Sequence, residues 1–178
     1  GDSFGLENAL WFAKNENDAH EEPTFKRSRS HDYVSKEVQA VRTAVGATEI
    51  ANFAKHEFTG IGAKKFLDYI LAGKIPRPGR IILTPMLTPK GKLYGDLTVA
   101  CLNEEKFMLF GSGAAQEMHR RWFEKFLPKN GVVYKNRSDE YHGIAISGPN
   151  SRKLLSKICR DDVSNEAFKF RDVRETFV

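Results

Sequence analysis

Two stretches rich in strand-forming residues, 80–87 (RIILTPML) and 93–102 (LYGDLTVACL), are separated by only five residues, TPKGK, whose proline and glycine favour a turn. So short a connection joins antiparallel neighbours, because parallel pairing needs a crossover of about a dozen residues or more. Residues 107–110 supply a third strand, and helical patterns flank the group. Over 62–71, Phe66, Leu67, Ile70 and Leu71 share one side before Gly73, Pro76 and Pro78 end the helix. Over 114–126, Met118, Trp122, Phe123 and Phe126 form a stripe expected to be buried. No regular βαβ spacing recurs, so the class is α+β, with antiparallel or mixed sheets and packed helices.

Upstream, residues 14–32 (KNENDAHEEPTFKRSRSHD) offer only Phe25 as a sizeable apolar side chain and read as a surface excursion or mobile arm. Leu10, Trp11 and Phe12 before it are too apolar to leave in water, so the first dozen residues are expected to dock. Val38, Val41 and Val45, behind Ser35 as a cap and before Gly46, predict a helix over 35–45. Residues 48–59 read as extended, 132–134 and 141–146 as strands, 149–159 as a helix with Pro149 at an early position, and 168–178 as extended.

With 178 residues, the chain suits one large domain or two small ones and buries a core without staples. Cys101 and Cys159, far apart in apolar neighbourhoods, suit buried free thiols in a reducing compartment. Mean hydropathy is -0.47 and no apolar run approaches the ~20 residues of a membrane span, so no membrane partner is expected. Residues 1–13 lack a basic n-region and a long apolar run, and no secretion signal is read there. Although the net charge is +5, the 23 acidic residues are interspersed among 28 basic ones. Lys26, Arg27, Arg29, Arg120 and Arg121 are the basic candidates for nucleic acid, but the aromatic residues lie in apolar stripes that read as core rather than as a stacking platform. No nucleic-acid partner is expected.

Several signatures fail. Gly60-Ile61-Gly62 lacks the third glycine of a dinucleotide fingerprint, since position 65 is Lys65, and there is no P-loop. The five histidines make no metal-spaced pair with another His or Cys, so no metal is expected. Gly111-Ser112-Gly113 lacks the flanks of a nucleophile elbow and reads as a helix cap, or as exposed N–H groups that a small ligand approaches. Asp96 stands out because aspartate is disfavoured inside strands. Alternation sends Leu93, Leu97, Val99 and Cys101 to one face and Tyr94, Asp96 and Thr98 to the other. There Asp96 either faces solvent or accepts hydrogen bonds from a ligand and stabilises a cation forming beside it.

Val41-Arg42-Thr43-Ala44-Val45-Gly46, Phe58-Thr59-Gly60, Gly79-Arg80, Thr84-Pro85-Met86-Leu87, Gly91, Asp96-Leu97-Thr98-Val99 and Ser147-Gly148-Pro149 follow in a characteristic order and approximate spacing. In this the chain resembles the folate-binding fold of the glycine-cleavage T-protein (aminomethyltransferase) family. Phe4-Gly5-Leu6-Glu7 with Trp11-Phe12, and Ser151-Arg152-Lys153-Leu154-Leu155 with Ser164-Asn165-Glu166-Ala167-Phe168, resemble the C-terminal half of dimethylglycine and sarcosine dehydrogenases.

That resemblance implies a tetrahydrofolate-dependent one-carbon step, in which an aminomethyl or methylene-iminium fragment is captured by the reduced pterin and an amine is released. Asp96 falls on the family's key carboxylate, and Phe53, Leu83 and Ser112 fall on positions that contact folate. Departures are specific: Leu83 and Ala100 stand where the T-protein has tyrosines, Ser112 where it has an asparagine, and Glu49 where it has an aspartate. Three parts are implied: 1–47, an N-terminal docking segment, polar arm and first helix; 48–137, a central ferredoxin-like α+β subdomain carrying Asp96; and 138–178, the start of a second half, incomplete at its C-terminus. The chain is then expected to be a fragment or a reduced relative, with FAD confined to a separate or missing domain. Implied partners are a folate, a methylated amine or aminomethyl donor, a flavoprotein domain, or a second copy through exposed apolar surface. The implied location is the bacterial cytoplasm or, in a eukaryote, the mitochondrial matrix.

Overall fold

A computed structural model describes residues 1–3 and 5–178; Phe4, from the first dehydrogenase-like stretch, lies outside them. Along the chain run β1 (Asp2–Ser3), β2 (Leu6–Glu7), a 3-10 turn at Glu16–Asp18, α1 (Ser30–Thr43), β3 (Gly46–Glu49), β4 (Ala54–Thr59) and α2 (Ala63–Ile70). There follow β5 (Arg80–Leu87), β6 (Leu93–Asn103), β7 (Lys106–Gly111), a 3-10 turn at Gly113–Ala115, α3 (Gln116–Phe126), β8 (Val133–Asn136), β9 (Ile144–Ser147) and α4 (Ser151–Ile158). The segment expected as one strand over 48–59 is broken by a turn at 51–53 that separates β3 from β4. Contacts divide the chain into two units, Gly1–Ala47 with Ile146–Leu154, and Thr48–Ala145 with Leu155–Val178.

In the first unit β1 and β2 pair antiparallel. The polar arm is exposed and also tethered: Asp18 accepts hydrogen bonds from Tyr33 Oη at 2.6 Å and Arg29 Nη1 at 3.2 Å, and Trp11 packs on Tyr33 with ring centroids 5.2 Å apart. These bonds accompany a helix start at Ser30 instead of Ser35, without a side-chain cap, a start that apolar periodicity does not see. Of Leu10, Trp11 and Phe12, expected to dock, Trp11 is half-buried while Leu10 and Phe12 are each 72% exposed.

The second unit is built on an antiparallel five-stranded sheet in the order β5-β6-β7-β4-β8. One face carries Phe58, Met86, Leu97, Val99, Phe107 and Leu109, buried against Phe66 and Leu67 of α2 and Phe123 of α3. Each such side chain contributes on the order of 1.5–3 kcal/mol by leaving water. Phe58 anchors the cluster, with Phe123, Tyr134 and Phe66 ring centroids 5.1, 5.0 and 5.6 Å away. At Gly60 a φ of 113° lets the chain leave β4 and enter α2.

Three expectations need correction here. Along β5–β6 the register steps from Met86↔Gly95 to Leu87↔Leu93, so Tyr94 is an extra residue in a β-bulge. The bulge reverses the alternation: Tyr94 packs on Trp122 at 4.4 Å on the helix-covered side, while Leu93, expected there, is 67% exposed. Residues 168–178 form no strand; their one ladder contact is the bridge Arg80↔Asp172, and Asp172 accepts from the Lys169 amide to close a turn instead. Both cysteines are free, but only Cys101 is buried, and Cys159 is half-exposed.

Candidate functional site

On the sheet face away from α2 and α3, register brings together residues that lie far apart in sequence. Thr98 of β6 stands opposite Leu83 of β5 on one side and Phe110 of β7 on the other, and Asp96 stands opposite Pro85. Together with Asn52 and Phe53 of the turn before β4, and the Gly111–Ser112–Gly113 turn after β7, these residues line a cavity of about 290 Å³. All four site residues expected from the sequence, Phe53, Leu83, Asp96 and Ser112, line it. Asp96 is exposed, as a strand aspartate on an open face is, and has this hollow beside it. Leu83 is 64% exposed, offering an apolar flank that no side chain covers.

The turns hold their shape for identifiable reasons. A Cβ on Gly113 would overlap the carbonyl oxygen of Asn52, so only glycine lets the two turns meet. Ser112 makes no capping hydrogen bond, against its reading as a helix cap; its extended backbone (φ −60°, ψ 129°) instead leaves it at the cavity wall. Lys55, almost fully buried, donates from Nζ to the carbonyls of Ala51 at 2.7 Å and Phe53 at 2.8 Å, pinning the turn that presents Phe53. An ammonium group buried this way is affordable because carbonyl oxygens replace its water. Sequence reasoning missed Lys55, whose one signal is a lysine set within the otherwise strand-like run of β4.

A second cavity, of about 430 Å³, adjoins the first and shares Phe53, Thr98 and Phe110 with it. Its walls add Ile50, Lys55, Ala100, Leu102, Met108 and Tyr141 among others. Ala100 thus belongs to the second hollow, and Leu83 to the first.

Beneath the site, on the helix-covered side, two histidines are buried. His56 of β4 bonds through Nδ1 to Tyr134 Oη at 2.9 Å, and its ring centroid is 6.3 Å from that of His119 on α3. Burial, reinforced by repulsion from His119, holds the His56 pKa down to about 4. Burial also lowers that of His119, opposed by the Tyr94 carbonyl and the Asp96 carboxylate. Among the described residues His56 Nε2 has no hydrogen-bond partner, an arrangement that costs on the order of 1–3 kcal/mol, and the His119 ring meets the Tyr94 backbone without reaching ordinary hydrogen-bond geometry. His119 was not expected in the core: the buried residues of α3 are His119 and Phe123, while Met118, assigned to the stripe, is exposed.

Among the described residues, no group of three or more His, Cys, Asp or Glu is arranged to hold a metal ion, and no helix is long and apolar enough to cross a membrane. Of the basic residues weighed for nucleic acid, Arg29 pairs with Asp18 and Glu22, and Arg120 with Glu117 and Glu124.

An antiparallel sheet backed by helices on one side, with a carboxylate-bearing hollow open on the other, defines an α+β domain. Residues 1–178 match the GCVT N-terminal domain, and the chain belongs to that family. It is 35% identical over 169 residues to human mitochondrial dimethylglycine dehydrogenase, covering 93% of this chain and 19% of that protein. Against the aminomethyltransferase of Thermosipho melanesiensis it is 33% identical over 132 residues, covering 73% of this chain and 36% of that protein. The chain therefore spans only part of these enzymes. The fold is shared with the glycine cleavage system aminomethyltransferase T of Bartonella henselae, with a TM-score of 0.71 over 80% of this chain and 39% of that one at 21% identity. It is also shared with the heterotetrameric sarcosine oxidase of Corynebacterium sp. U-96, with a TM-score of 0.59 over 86% of this chain and 76% of that one at 17% identity.

Proposed function

We propose that this chain is the folate-binding portion of an enzyme of glycine or methylated-amine catabolism that transfers a one-carbon unit to tetrahydrofolate, with Asp96 as its polar anchor. The observation that carries this reading is the convergence of Phe53, Leu83, Asp96 and Ser112, drawn from four separate stretches of sequence, on one cavity. A reduced pterin suits that lining: its ring N–H groups need an acceptor, which the Asp96 carboxylate offers, and its ring faces need apolar walls, which Phe53, Leu83 and Phe110 offer. Alone the hollow is at the small end for such a ligand, and the adjoining apolar cavity extends it.

Tetrahydrofolate, when bound, supplies the nitrogen that accepts the one-carbon fragment. Asp96 accepts hydrogen bonds that fix the ring's orientation, and its negative charge favours positive charge developing beside it. Phe53, held by Lys55 through the turn carbonyls, offers its ring as one apolar flank. The relatives' names support a methylated amine or an aminomethyl donor as the source of the fragment. No residue of this chain is assigned to FAD. By the same kinship, the expected place of work is the mitochondrial matrix or a bacterial cytoplasm, alongside a flavoprotein domain or subunit.

Titration of the whole chain with tetrahydrofolate, followed by calorimetry, tests the reading. Binding should saturate below about 1 mM, and Asp96→Asn should weaken it about tenfold or more, the worth of a charge-assisted hydrogen bond. Absence of saturation would replace this function with that of a scaffold which keeps the fold without folate chemistry, the outcome that Leu83, Ala100 and Ser112, in place of hydrogen-bonding residues, would then explain.

A further inference from the structure

We infer that His119 is a positioning residue: its imidazole is the wedge that sets the placement of Asp96 and Ser112 across the mouth of the site. The consequence for one-carbon transfer rests on the function proposed above; the geometric role does not. Ladder pairing between β6 and β7 runs up to Thr98↔Phe110 and stops. Were it to continue, Leu97 would face Gly111 and Asp96 would face Ser112. Past the last pair this ladder no longer sets the distance between the two residues: Asp96 is held from its other side by pairing with Pro85 and Gly111 by pairing with Ala54, so what fills the gap between the two strands bears on how far apart they stand.

What packs there is His119, 2% exposed, reaching up from α3. A Cβ on Gly95 would overlap its Nε2, and a Cβ on Gly111 would lie 3.3 Å from its Nδ1 and 2.6 Å from Leu97 Cδ2. The ring therefore abuts the two glycines that immediately precede Asp96 and Ser112. Glycine at 95 is what admits the ring, glycine at 111 makes room first for Leu97 and then for the ring, and the ring in turn stands between the two backbones under the site.

Two variants and one control test this in the whole chain. In His119→Ala, the backbone amide resonances of Asp96 and Ser112 should move clearly more than in Phe123→Leu, which loosens the same core without touching Gly95 or Gly111. Should His119→Ala fail to fold, His119→Asn, a smaller wedge, is read in the same way. Equal or smaller movement than in Phe123→Leu overturns the inference. Gly95→Ala drives a methyl group into the ring and should weaken tetrahydrofolate binding by about tenfold, while His119→Ala added to it should restore binding to within about threefold of the parent, since the added methyl then occupies vacated space. Weakening without recovery, or none at all, also overturns it. If the parent chain does not bind tetrahydrofolate, the proposed function falls while the amide resonances still decide the role of His119.

Discussion

Acidification should weaken the sheet unit through His56. The ring lies in the core against Phe123, with centroids 5.0 Å apart, and donates or accepts one hydrogen bond, to Tyr134. Its pKa is held down to about 4 from an ordinary 6.5, chiefly by burial, with His119 adding repulsion and Glu117 pulling weakly the other way. A depressed histidine pKa means that the unfolded chain takes up the proton first. Stability is then full above about pH 6.5, falls as pH drops below that value, and levels off below about 4, after a loss of about 3 kcal/mol. At pH 5 the loss should be about 2 kcal/mol relative to pH 8. His119, lowered in the same direction, steepens the fall. The lowered carboxylates, such as Asp162 and Asp172, lose their contribution only on approach to their ordinary range near 4, so pH 5 and above isolates the histidines. Urea unfolding at pH 8, 6.5 and 5 measures the effect, with His56→Asn as a non-titrating partner whose slope should be markedly flatter. Equal stability of the parent chain at pH 8 and pH 5, or an unchanged slope in His56→Asn, would refute the assignment of a neutral, buried imidazole.

Phe123→Ala removes a fully buried ring that touches Phe58, His56 and Tyr134, and should cost about 3–5 kcal/mol in urea or thermal unfolding; a loss under about 1 kcal/mol would mean that the ring is not central to the core. Leu83→Tyr puts an aromatic face and a hydroxyl back on the cavity flank and should tighten tetrahydrofolate binding by about three- to tenfold in calorimetry, whereas unchanged affinity would show that position 83 does not meet the ligand.

The sheet hairpin, α2 and α3 were legible because their signals are local: a turn with proline and glycine, alternation in β6, and apolar residues recurring every three or four positions before a stop. What escaped depends on partners distant in sequence. The bulge at Tyr94 is set by how β5 meets β6, and alternation alone gives every residue of LYGDLTVAC a fixed side. The early start of α1 is accompanied by Asp18 bonding to Arg29 and Tyr33. In α3 an amphipathic count ranks Met118 above His119, yet the slot between Gly95 and Gly111 admits a flat ring. At the site, Asp96 was conspicuous as an aspartate in a strand, while Phe53, Leu83 and Ser112 stood out only through kinship, because nothing in their local sequence brings them together. Lys55 was invisible for the converse reason: its job is to hold carbonyl oxygens, which every residue has.

The departures from the T-protein pattern divide between the two hollows. Leu83 lines the carboxylate-bearing cavity, and Ala100 lines the larger, apolar one on the far side of Thr98. Losing a tyrosine at 83 removes a stacking face and a hydroxyl next to Asp96, so it acts on orientation, and any remedy must restore a directional contact. At position 100, a methyl group where the resembled family has a tyrosine enlarges a mainly apolar space walled by Met108, Leu102 and Ile50, with Thr98, Lys55, Tyr141 and His142 as its polar groups. That change acts first on what fits. Under the proposed function, a ligand that keeps the ring hydrogen bonds of a pterin while carrying more bulk towards position 100 would therefore lose less here than in a site with both tyrosines.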